Sequence, residues 1–224
     1  MSEIRASNEW GHIDRALSIG LGFIAVGSGF EKEADAITTY APCLIPGLLM
    51  TNPYMEAHFG QHFAENGFPD AESQITQLIE LKEARQDRVV GNRLLGFFIG
   101  IDALTTHGGR FTQETIRGAA LHLANVAASG QAKIHLVADP QTPVHRELSR
   151  DPNAGLVLYH KDQQPFAVTV EAGVDSYHLT TAYHGGQKIE SAANGMQTLA
   201  TSPSVLSVET SLEIIEAAAG RSAT

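Results

Sequence analysis

Apolar residues recur along this chain at two periods, near 3.6 through most of the first 130 positions and near 2 over residues 132–184. Ile13, Leu17 and Leu21 share a helical face, but glycines at 20, 22, 27 and 29 weaken a helix there, and Leu21–Val26 reads as extended. Glu31 to Ala36 combines helix formers with early acids, so a helix is expected from Glu31 and is limited by Pro42. Residues 42–53, with three prolines and a glycine, read as a packed irregular connection. A short helix follows over Tyr54–Glu65. The longest helical stretch opens at Pro69-Asp70, with Ile75, Leu78 and Ile79 on one face, and continues toward Val89, Val90, Leu94 and Leu95.

Thr112 is an expected N-cap for a helix whose inner stripe is Ile116, Ala119, Ala120, Leu123 and Ala127, with Gly130 as its stop. Ala132–Ala138, Leu156–His160, Phe166–Glu171 and Tyr177–His184 alternate as strands, and the short turns between the last three predict antiparallel pairing. Ser202-Pro203 has the form of a cap followed by a first-turn proline, ahead of a stripe of Val208, Leu212, Ile215 and Ala219 that ends at Gly220. The resulting fold class is α+β: a helical N-terminal half packed on a mainly antiparallel meander sheet (about 132–184) with a C-terminal helix. One domain spans 1–224, with a helical subregion 1–106 and a sheet subregion 107–224.

Composition narrows the function. The 43% hydrophobic and 18% charged residues are those of a globular chain. The longest apolar stretch, Ala16–Phe30, is shorter than the roughly 20 residues that span a bilayer, so no membrane partner is expected. The N-terminus lacks the basic-then-apolar layout of an export signal, and Cys43 is the only cysteine, so a cytoplasmic location is expected. A formal net charge of −10 argues against nucleic acid as a partner, because phosphate binding needs clustered Lys and Arg. Low charge around residues 16–30 and 42–51 admits a homo-oligomer that covers these apolar stretches.

Three groups of residues are candidates for chemistry. Gly27, Ser28 and Gly29, between an extended segment and a helix start, would offer free backbone N–H groups to an anion, although no third glycine or Gly-Lys-Ser/Thr completes a nucleotide fingerprint. Arg110, in the first of two His-Gly-Gly turns (107–110 and 184–187), and Arg117 are the cations placed nearest a bound carboxylate or phosphate. The words IAVGSG at 24–29 are similar to a stretch of the proteasome-like hydrolases with an N-terminal threonine nucleophile, but no threonine follows Met1 to carry that role. His58 and His62, at i and i+4 with Glu65 beyond, form a donor set for a divalent metal; Phe59 stands where a metalloprotease has its glutamate. Finally, alternation over 177–184 puts His178, Thr180 and His184 on one face, and His160 on a neighbouring strand would join them as general base and acid.

A helix followed by four strands, ending in YHLTTAYHG, resembles the catalytic region of barnase-like and toxin-type ribonucleases over Thr112–Gly186, and that resemblance implies a histidine-dependent ribonuclease. From the residues themselves the leading expectation is an enzyme, a hydrolase or lyase, acting on a small anionic ligand with His178, His184, His160 and Thr180 as its catalytic groups. The alternatives are the ribonuclease-like module and a non-catalytic binding or oligomeric assembly protein.

Overall fold

The computed structural model of the protein describes residues 29–65, 70–89, 93–105, 109–139, 154–171, 181–184 and 186–220. Its elements run in the order β1 (Ala36–Ala41), α1 (Asn52–Glu65), α2 (Ala71–Val89), β2 (Leu94–Gly100), α3 (Gln113–Ala128), β3 (Lys133–Val137), β4 (Gly155–Lys161), β5 (Gln164–Glu171), β6 (Thr181–His184), α4 (Gln187–Ala200) and α5 (Val208–Ala218). The class is α+β, but the sheet is not a meander. Six strands lie in the order β3-β2-β1-β4-β5-β6. β1 pairs parallel with β2, and β2 parallel with β3. β1 pairs antiparallel with β4, β4 with β5, and β5 with β6. The four strands expected over 132–184 are therefore split, because β2 and β1 stand between β3 and β4. In chain order the helix and four strands follow one another as expected, α3 then β3 to β6.

Two expected helical stretches are corrected. Residues 29–33 are helical, but the chain then extends, and Ala36–Ala41 is the strand β1 rather than a helix running to Pro42. Ile37, Thr38, Thr39 and Tyr40 are β-branched or aromatic and pack well on a pleated surface. Likewise α2 ends at Val89, and Leu94 and Leu95 open β2. The sequence LLGFFIG is a near-continuous apolar run of the kind parallel strands carry, and from Phe97 to Gly100 it is buried on both faces.

Among the described residues, the two faces of the sheet are covered unequally. Ile37, Leu95, Phe97, Ile99, Ile134, Leu136, Val157 and Tyr159 join one core with residues of α1, α2, α3 and α5. Tyr40, Phe98, Val137, Leu156, Leu158, Val168 and Val170 form a second core with Ile189, Ala192, Met196 and Leu199 of α4. Each fully buried side chain of this size contributes roughly 1.5–3 kcal/mol. α4 was not expected from the sequence. Its apolar stripe follows Gly186, whose φ of 85° at the N-cap is open to glycine and strained for other residues.

Local signals fix several ends. The Thr112 hydroxyl accepts from Thr115 N at 3.1 Å, as an N-cap should. α5 is capped by Ser207, not by Ser202-Pro203. Residues 204–206 instead run along the outer edge of β3, where Ala138 N donates to Ser204 O at 2.8 Å and Leu206 N to Leu136 O at 2.9 Å. Ser211 Oγ accepts from Leu136 N at 2.8 Å, so both main-chain groups of Leu136 are occupied on that edge. Where β1 and β2 end, Gly100 lies against Pro42 so closely that a Cβ would fall 1.8 Å from the Pro42 carbonyl oxygen.

Candidate functional site

The register of the strands builds the candidate site from the less covered face. Lys133 pairs with Gly96, Gly96 with Thr38, and Thr38 with Leu158, forming one row across β3, β2, β1 and β4. The adjoining rows hold Leu94, Ala36 and His160 on one side and His135, Phe98 and Tyr40 on the other. α4 packs over β4, β5 and β6, at the far side of this face. Lys133 and Leu94 are exposed, while Ala36, Thr38, Gly96, His135 and His160 are half-buried. Among the described residues the result is a partly open patch with a glycine at its centre.

Thr38 Oγ1 and His160 Nε2 lie 3.4 Å apart. They meet because Thr38, like Tyr40, sits on the α4 face of β1, and His160, paired with Ala36, stands two residues along β4 from Leu158, the partner of Thr38, and so on the same face. Burial holds the His160 pKa below the usual histidine value, so the ring is uncharged at neutral pH and has a nitrogen able to accept a proton. His135 is used differently. Its ring stacks on Phe98 with centroids 5.3 Å apart and an interplanar angle of 15°, and Nδ1 is 2.9 Å from Leu206 O.

The expected group of sheet histidines is only partly within the described residues, since His178 and Thr180 lie outside them. His184 pairs with Ala167, which pairs with Tyr159, whereas His160 pairs with Pro165 on the other side of a register shift between Tyr159 and His160. The strand positions of His160 and His184 are therefore not in one row. Of the anion loop, Gly27 and Ser28 lie outside the described residues, and Gly29 begins the helical turn at 29–33. Arg110 is half-buried in the turn before Phe111. His58 is buried on α1 between aromatic neighbours, 4.8 Å from the Phe59 ring centroid and 6.4 Å from that of Phe111. The side chain of His62 is outside the description, and no group of three His, Cys, Asp or Glu gathers around a common point among the described residues.

A second polar cluster lies on the opposite side of the sheet, where sequence patterning marks only the wet face of a helix. Lys82, 4% exposed on α2, donates from Nζ to Met50 O at 3.3 Å and to Asn52 Oδ1 at 2.5 Å. Asn52 Nδ2 in turn donates to Glu83 Oε1 at 2.8 Å, and Gln86 Nε2 donates to Leu48 O at 2.9 Å. α2 thus holds the 48–52 segment by its main-chain carbonyls. Burial lowers the pKa of Lys82, and burial together with the nearby Lys82 charge lowers that of His122. These bonds fix a loop, and they account for the buried amine without a ligand.

Thr38 and Gly96 were missed because their strands were not expected. Once AITTYA is a strand, period-two alternation alone puts Thr38 beside Tyr40's face. No helix among the described residues is long and apolar enough to cross a membrane. Neither the curated proteins nor the solved structures include a match to this chain. Residues 28–215 match the family described as Domain of unknown function (DUF5753), which covers most of the sequence, and the chain belongs to that family.

Proposed function

We propose that the protein binds a small anionic metabolite on the open part of its sheet, between Lys133 and the Thr38–His160 pair, with His160 as general base toward the ligand. The observation that carries this reading is the half-buried hydroxyl–imidazole contact of 3.4 Å on a face that α4 leaves partly open. A half-buried imidazole held uncharged is suited to accept a proton near neutral pH. Lys133 supplies an exposed cation in the same row as Thr38, two strands away, roughly 10 Å at the usual strand spacing. That gap suits a small molecule whose acid group meets the lysine and whose hydroxyl or amine meets the pair.

The test is calorimetric titration of the purified chain with small carboxylates and phosphates. Binding that weakens at least tenfold in both Lys133→Gln and His160→Gln, with unchanged melting temperature, supports the site. Binding that survives both substitutions places the ligand elsewhere and ends this reading. Turnover of a bound ligand that is lost in His160→Gln while binding persists would assign the base.

A further inference from the structure

Resting on that reading of the sheet face, we infer that Gly96 is the floor of the binding site and that the ligand is a flat aromatic acid. A glycine inside a strand weakens it, so its presence calls for a cause: a backbone angle closed to other residues, a bulge, a crowding neighbour, or a ligand laid against the main chain. The first is absent, since Gly96 is not among the described glycines with positive φ. The second is absent too, because residues 94–99 pair without a break with β1, and 96–100 with β3. The third fails on distance. A Cβ on Gly96 would have Thr38 Cγ2 at 4.0 Å as its nearest neighbour among the described residues, ordinary contact at most. Gly100, four residues on, shows the contrast, with its Cβ position 1.8 Å from the Pro42 oxygen.

What surrounds Gly96 gives the ligand's character. Leu94, two residues back and on the same side of the strand, is 77% exposed, the most exposed of the large apolar side chains described. Phe98, two residues forward, closes the other end with His135 stacked against it. Same-side residues repeat about every 6.7 Å along a strand, so Leu94 to Phe98 spans roughly 13 Å, enough for one or two fused rings lying flat on the bare peptide groups. Lys133 on one flank meets a carboxylate, and Thr38 with His160 on the other meets a ring substituent. A side chain at 96 would stand where the ring lies.

The experiment measures binding of benzoate, naphthoate, acetate and inorganic phosphate to the full chain and to Gly96→Ala and Gly96→Val. The expected result is that wild type binds the aromatic acids at least tenfold more tightly than acetate or phosphate. Gly96→Val should melt no lower than wild type and lose the aromatic preference, with Gly96→Ala between. Equal binding of naphthoate by wild type and Gly96→Val, or equal binding of aromatic acids and acetate by wild type, overturns the aromatic floor but leaves the anion site standing. Failure of both glycine variants to fold also overturns it, by showing that the chain's own packing needs the glycine. If none of the four probes binds wild type, the anion site and its floor fall together.

Discussion

The guanidinium of Arg85 closes on the carboxylate of Glu31, 54 residues earlier, with Nη2 2.6 Å from Oε1 and Nε 3.1 and 3.2 Å from the two oxygens. Both residues are almost sealed from water, at 5% and 4% exposure. The pair ties the helical turn at 29–33, and so the entry to β1, onto α2. Removing one partner strands the other charge in the interior, so Glu31→Gln or Arg85→Met should each cost about 3–5 kcal/mol. The double variant Glu31→Met/Arg85→Met should recover much of that loss. Urea unfolding of the four proteins measures this, and strictly additive losses would refute the coupling.

The close approach of Gly100 to Pro42 makes the junction of β1 and β2 intolerant of any side chain. Gly100→Ala should destabilise by about 3 kcal/mol or more, because backbone rather than a flexible side chain must move. Gly118 is the control: it is exposed within α3 and has nothing near its Cβ position, so Gly118→Ala should stabilise by roughly 1 kcal/mol. Thermal melts of the two variants in parallel should move in opposite directions.

His160 sets a pH dependence with a definite sign. Its folded-state pKa lies below the unfolded value of about 6.5. Above that value the ring is neutral in both states and adds nothing. As the pH falls through about 6.5 the unfolded chain takes up the proton first, so stability drops until the folded-state pKa is passed. Wild type should therefore lose more stability than His160→Gln between pH 7 and pH 5, and the imidazole should titrate below the free value in a proton NMR series. A midpoint above it would contradict the burial argument.

Lys82 and His122 are linked through space, since the ammonium disfavours a second positive charge on the imidazole. Lys82→Met should raise the His122 pKa toward its ordinary value, leaving only the effect of burial. The same NMR titration reads this shift directly, and an unmoved His122 would mean that burial alone sets it.

Much of the sheet half was legible, and the reason is local. Thr112 caps α3, Gly130 ends it with φ of 73°, and the β4–β5 turn at Asp162 and Gln163 is tight enough to force antiparallel pairing. β1 and β2 were hidden for the opposite reason. β1 follows the acid-rich Glu31–Asp35, which reads as a helix start, although Glu31 is acidic to meet Arg85 and not to face a helix dipole. β2 is apolar on both sides, so its alternation is erased just after a helix with the same kinds of residue. α4 carries a stripe of Ile189, Ala192, Met196 and Leu199, but the cap-like Ser202-Pro203 lies beyond it, ahead of a helix that is capped by Ser207 and begins at Val208. At the site, His160 was visible as a strand-end histidine. Its partner Thr38 was not, because a threonine has a face only once its strand is known.

The central place of β1 also has a consequence for the order of assembly during synthesis. Its parallel neighbour β2 arrives 58 residues later, as Ala36 meets Leu94, but its antiparallel neighbour arrives only when His160 reaches Ala36, 124 residues on. A chain emerging N-terminus first must therefore carry its earliest described strand with one side open for most of its translation. The β4–β5 hairpin, made of near neighbours, supplies the strand that fills that side.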